Sequence, residues 1–176
     1  MHFATALLFA TNLLGTVTAA PPTDGGLYSI VNLRTATVVD LESGRGGNNV
    51  IVQGWAPIWS EGAKNRIWRF VHKGKYWKLI NLASGTALTL QNGASDNQTP
   101  IVGYVPYETD RQLWQLLEHT EPNLPRHFQF INKAGGTSMD LYFGGMGNGT
   151  RIYGYESFPG NVNQLWVLVP ITPDQV

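Results

Sequence analysis

Three stretches of this chain superimpose without a gap. They are "LYSIVNLRTATVVDL" (Leu27 to Leu41), "YWKLINLASGTALTL" (Tyr76 to Leu90) and "HFQFINKAGGTSMDL" (His127 to Leu141). Asn32, Asn81 and Asn132 coincide, and Thr37, Thr86 and Thr137 follow each of them at the same distance. Then come Asp40, Thr89 and Asp140, and further on Trp55, Tyr104 and Tyr155, each preceded by Gly. Every copy closes on a Trp in "NRIW", "RQLW" or "NQLW", which places Trp68, Trp114 and Trp166. Chance does not produce this register. A repeat of about 50 residues cannot bury its apolar face alone, so the three copies must share one core.

Each copy reads as short strands. "YSIVN", "KLIN" and "FQFIN" alternate apolar and polar residues or run apolar, as strands do. Gly- and Asn-rich turns follow at "SGRGGNN", "NGASDN" and "GGMGNG". No segment has capped helical periodicity. A closed, three-fold, all-β barrel satisfies this pattern and leaves no exposed strand edge. Trp68, Trp114 and Trp166 are its expected centre. Asn32, Asn81 and Asn132, present in all three copies, are expected to serve turns and backbone hydrogen bonds rather than a ligand.

The flanks and composition bound the function. Ala4 to Val17 is an uncharged apolar run ending in "VTA", followed by two prolines. It reads as a secretory signal over 1–20 with a linker over 21–26, and the protein is expected to be secreted. The competing reading is a buried N-terminal helix, because no Lys or Arg precedes the run. With 12 basic and 12 acidic residues the chain is formally neutral, which gives nucleic-acid or membrane-surface binding no electrostatic support. No cysteine is present, so burial must stabilise the fold without disulfides. Asn97-Gln98-Thr99 and Asn148-Gly149-Thr150 are N-glycosylation sequons, relevant only in a secreted chain; Pro100 weakens the first.

The triplicated closing motif, the early acid and the Gly-aromatic pair together resemble the Gln-x-Trp repeat of ricin-B-type lectins. The resemblance runs from Leu27 to Val169 and is strongest to the disulfide-free fungal members. It implies a β-trefoil over 27–170, with repeats 27–75, 76–126 and 127–170 and a tail over 171–176. It also implies a shallow sugar pocket in each repeat: the Asp accepts from sugar hydroxyls, the aromatic stacks on the sugar, the Asn adds hydrogen bonds and the Gln supports the pocket. Carried over, the first pocket has Asp40, Gln53, Trp55 and Asn65; the third has Asp140, Tyr155, Asn163 and Gln164. Galactose or N-acetylgalactosamine is the sugar the family suggests, and the partners are then glycans or glycoproteins. Three departures stand out: Arg66 replaces the first Gln, Arg111 replaces the second Asn, and Thr89 replaces the second Asp.

These residue types suit a sugar. A pyranose has a C–H face for an aromatic ring and a rim of hydroxyls. A fixed carboxylate accepts from them in hydrogen bonds worth roughly 1.5–3 kcal/mol each, against about 1 for neutral pairs. Thr lacks that charge, so the second copy reads as a scaffold repeat with a lapsed site, and the third pocket ranks ahead of the first. Blander readings stay open at this level. Asp40 and Asp140 could stabilise turns, Tyr104 and Tyr155 could be ordinary strand residues, Arg66 could be a solvated charge, pair with Asp40 and compete for it, or favour an acidic sugar, and Trp59 could extend the first pocket or fold back on the barrel.

Nothing in the sequence points to an enzyme, a metal or a cofactor. The four histidines match no metal spacing, and no Ser sits in a nucleophile elbow. Asp40 and Asp140 belong to different repeats, whereas paired-carboxylate glycosidases hold theirs roughly 5–10 Å apart. The rival to a lectin is a β-trefoil protease inhibitor acting through exposed loops.

Overall fold

A computed structural model describes residues 21–57, 63–172 and 175–176. The expected signal segment and Trp59 lie outside the described residues. The remainder holds twelve strands in three sets of four. The first set is β1 (Leu27–Asn32), β2 (Val38–Leu41), β3 (Val50–Trp55) and β4 (Trp68–Lys73). The second is β5 (Tyr76–Asn81), β6 (Ala87–Leu90), β7 (Thr99–Tyr104) and β8 (Trp114–His119). The third is β9 (His127–Asn132), β10 (Ser138–Leu141), β11 (Thr150–Tyr155) and β12 (Trp166–Pro170).

The first and last strands of each set close a six-stranded barrel. β1 pairs with β4, β4 with β5, β5 with β8, β8 with β9, β9 with β12 and β12 with β1, all antiparallel. The middle strands form the hairpins β2–β3, β6–β7 and β10–β11, and β3, β7 and β11 also pair with one another in a triangle that caps the barrel. This is the β-trefoil that the three copies require.

The repeated residues build the symmetry. Trp68, Trp114 and Trp166 are fully buried, and their indole N–H groups donate to Val39 O, Leu88 O and Met139 O, each at 3.0 Å. A buried Trp thus satisfies its one polar atom. The Gly before each third-strand aromatic is a contact requirement. A Cβ on Gly54, Gly103 or Gly154 would lie 2.6–2.7 Å from Leu141, Leu41 or Leu90 respectively, each a leucine of another repeat. The Asn series also joins repeats through backbone carbonyls. Asn81 Nδ2 donates to Asn65 O and Asn132 Nδ2 to Arg111 O, both at 2.9 Å, and Asn32 Nδ2 donates to Asn163 O at 3.2 Å. Their Oδ1 atoms accept from backbone N–H groups two and three residues on.

Three turn asparagines complete the ring. Asn48 Oδ1 accepts from Val105 N at 3.0 Å, and Asn97 and Asn148 accept from Glu156 N and Ala56 N at 2.7 Å. Both sequon asparagines are therefore clasps between repeats.

Candidate functional site

The early acid of each repeat stands on the second strand of its set, and the strand register decides what faces it. Asp40 pairs with Gln53, Thr89 with Val102 and Asp140 with Tyr153. The repeated aromatics Trp55, Tyr104 and Tyr155 end the third strands and are half-buried. A short 3-10 turn ahead of the closing Trp brings in the last residues: Lys64–Arg66, Asp110–Gln112 and Val162–Gln164.

In the first repeat the expected residues converge. Asp40 Oδ1 accepts from Gln53 Nε2 at 3.0 Å, and Oδ2 accepts from Asn65 Nδ2 and Arg66 Nε, each at 2.8 Å. A cavity of about 350 Å³ opens there, lined by Asp40, Gln53, Trp55, Asn65 and Arg66 together with Glu42 and Ser43. That volume falls within the range of roughly 300–1,000 Å³ found for small-molecule sites. The solvated-charge reading of Arg66 does not hold. Its side chain is 12% exposed and ion-paired with a carboxylate that is 3% exposed. Arg66 Nη1 also donates to Ala56 O at 3.4 Å, and its guanidinium carbon lies 6.0 Å from the centre of the Trp55 ring.

In the third repeat Gln164, fully buried, does the same two jobs without charge. Its Nε2 donates to Asp140 Oδ2 at 3.0 Å and to Glu156 O at 2.8 Å. Asn163 does not join Asp140 as Asn65 joins Asp40. Its Oδ1 accepts instead from Arg34 Nη1 at 3.2 Å, and Asn161 Nδ2 reaches Asp140 Oδ2, at 3.4 Å. Tyr153 stands where Gln53 stands in the first repeat, so no amide crosses the strands to the other oxygen. Asp140 Oδ1 accepts no hydrogen bond among the described residues. Burial pushes the Asp140 carboxyl above the usual aspartate value, and the Gln164 hydrogen bond only partly opposes this.

The second repeat keeps the frame without the carboxylate. Gln112 Nε2 donates to Val105 O at 3.0 Å and to Thr89 Oγ1 at 3.2 Å, and Thr89 donates to Ala87 O at 2.9 Å. The Arg111 guanidinium lies 5.8 Å from the Tyr104 ring centre and 5.3 Å from that of Tyr107. Arg111 thus lies over Tyr104 much as Arg66 lies over Trp55 in the first repeat.

Sequence reasoning missed three of these residues. Gln129 Nε2 donates to Gln164 Oε1 at 2.9 Å and fixes that amide from behind; a lone Gln inside the apolar run "HFQFIN" was its only signal. Asn161 and Arg34 gave none, because both act through side-chain directions that spacing does not specify.

The three-fold repeat and the β-trefoil it builds are those of a ricin-type lectin domain. The family described as ricin-type beta-trefoil lectin domain-like matches residues 16–104 and 64–155, and the chain belongs to it. No curated protein matches the chain. Among solved structures, the designed three-fold symmetric protein ThreeFoil is 23% identical with a TM-score of 0.75, over 83% of this chain and 99% of its own. The Macrolepiota procera ricin B-like lectin, solved with lactose, is 22% identical with a TM-score of 0.67, over 85% of this chain and 99% of its own. An exo-beta-1,3-galactanase from Clostridium thermocellum is 22% identical with a TM-score of 0.75, over 86% of this chain but only 31% of its own. The chain therefore spans about a third of that enzyme and nearly the whole of the other two. These likenesses establish the fold.

Proposed function

We propose that this protein is a secreted carbohydrate-binding lectin that recognises galactose- or N-acetylgalactosamine-type glycans through its first and third repeats and catalyses no reaction. The observation that carries the reading is the Asp140 pocket. Its buried carboxylate is held through Oδ2 by Gln164, its Oδ1 accepts no hydrogen bond among the described residues, and Tyr155 lies two residues along the paired strand from its cross-strand neighbour Tyr153. Burying an acid without a cation costs stability, so its upkeep fits a ligand whose hydroxyls satisfy it. The first repeat offers the larger stacking face, Trp55, but its carboxylate already has three donors. The third pocket therefore ranks first, the first pocket second, and the second binds no sugar. The lactose complex of the Macrolepiota procera lectin supports the choice of sugar. Secretion rests on the apolar run Ala4 to Val17.

One shallow site of this kind is expected to bind a monosaccharide in the range of mM to tens of μM. A glycan array with the full chain tests the reading, together with inhibition of agglutination by free galactose. Binding to galactose-terminated glycans that free galactose competes away is the expected result. An array without hits and no agglutination refutes it.

A further inference from the structure

The same 3-10 turn follows the acid strand in every repeat: Glu42–Gly44, Gln91–Gly93 and Tyr142–Gly144. Its central residue is left-handed in all three, at φ 54° for Ser43, 56° for Asn92 and 50° for Phe143. Asn tolerates that region, whereas a bulky side chain is a genuine outlier there. Phe143 is moreover 79% exposed, so burial does not offset the strain. Met146, further along the same loop, is 66% exposed. Folding accounts for neither. An unexplained strained residue at a site rim points to function.

The place of Phe143 is informative. Its equivalent in the first repeat, Ser43, lines the cavity that contains Asp40 and Trp55. The ring is also braced. Tyr142 lies 4.4 Å from it between centroids, and Tyr142 meets Tyr153, the cross-strand neighbour of Asp140, edge-on at 5.3 Å. The next residue, Gly144, abuts Asn163: a Cβ there would lie 2.5 Å from Asn163 Oδ1. The loop tip is thus anchored to both sides of the third pocket.

We propose that Phe143 forms a second subsite of the third pocket, stacking on the C–H face of a pyranose linked to the one that Asp140 holds. The third site is then selective for a disaccharide or longer glycan. The first, with Ser43 at its rim, reads a single ring. This rests on the carbohydrate reading above.

The test is a site-resolved NMR titration of the full chain with galactose and with lactose, following the amides of Gly154 and Tyr155 for the third site and the Trp55 indole for the first. In the parent protein lactose is expected to bind the third site roughly threefold to tenfold tighter than galactose, the scale of one aromatic contact, with no such preference at Trp55. Phe143→Ser and Phe143→Asn, the residues of the other two repeats, are expected to bring that ratio to about one. Galactose affinity should stay unchanged and the melting temperature equal or higher. A ratio that survives both substitutions overturns the subsite, as does an equal loss for both sugars. So does loss of self-association with the ratio intact, which would make the patch a contact between copies. If neither sugar moves any resonance in the parent protein, the lectin reading fails and the subsite with it.

Discussion

Replacing Asp40 by Ala should unfold the protein at a markedly lower temperature, although Asp40 belongs to a binding pocket. The carboxylate is the ion-pair partner of Arg66, whose side chain is 12% exposed, and it also accepts from Gln53. Removing one member of a buried pair strands the other charge, which costs about 3–5 kcal/mol. The guanidinium keeps Ala56 O and reaches the cavity mouth, and Asn65 keeps Leu41 O at 3.2 Å. The low end, about 3 kcal/mol, is therefore the expectation. For a domain of this size that is a fall of roughly 6–12 °C in melting temperature. The assay is thermal unfolding by circular dichroism at neutral pH for Asp40→Ala, Arg66→Gln and the double variant. Gln at 66 carries no charge to strand and can still donate to Ala56 O, the contact that Gln164 makes to Glu156 O in the third repeat. The double variant should therefore recover at least half of the loss. A fall of less than about 2 °C in Asp40→Ala, or a double variant no more stable than the single, would show that the pair is not energetically coupled.

Asp140→Asn should do the opposite: melting temperature equal or higher, with third-site sugar binding lost. The Asn oxygen can still accept from Gln164, its amide takes the place of the unbonded oxygen, and no cation is stranded; calorimetry with galactose alongside a thermal melt checks both. The pH dependence has a fixed sign. Because the folded Asp140 carboxyl titrates above its unfolded value, its contribution to stability is present below the unfolded value and lost as pH rises through the folded one. Third-site binding needs the ionised form and should fade as pH falls through that raised value, which NMR titration of Tyr155 at a series of pH values would follow. Gly103→Ala places a methyl 2.6 Å from Leu41 and should cost about 1–3 kcal/mol by overpacking, read by chemical denaturation. Thr89→Ala should cost about 1 kcal/mol and leave glycan binding unchanged, because Gln112 keeps Val105 O.

The fold was legible because each copy states it again. One strand-turn-strand reading is ambiguous; three in register fix the strands, the turns and the buried Trp at once. The Asp-aromatic spacing likewise survives folding, since antiparallel register carries Asp40 opposite Gln53 and sets Trp55 beyond it. Two things did not survive. Asn163 aligns with Asn65 in sequence, yet Arg34 draws it off, and Arg34 comes from the first repeat through the closure of the barrel. For Arg66 the sequence left open a solvated charge and a partner of Asp40, because an isolated strand-end arginine is usually the former. Only burial beside Asp40 makes it the substitute for a supporting Gln. Alignment transmits backbone position, whereas side-chain partners depend on what the neighbouring repeat supplies.

That division explains how one copy can lose its acid. The contacts that close the trefoil are the indole-to-carbonyl bonds, the Gly–Leu contacts and the Asn joints and clasps, and none involves position 40, 89 or 140. The amide ahead of the closing Trp bridges the two systems, because Gln112 and Gln164 each tie a loop carbonyl as well as the residue in the acid position. With the carbonyl bond kept, the second partner is free to change. Thr89 satisfies Gln112 through a neutral hydroxyl, and Arg111 lies over Tyr104 and Tyr107. In the first repeat the bridge itself changed, and Arg66 made Asp40 part of the frame. The same position is thus dispensable to folding in one copy, costly to stability in another and structural in the third. Glycan binding is expected to be strongest at Asp140, where one carboxylate oxygen accepts no hydrogen bond among the described residues.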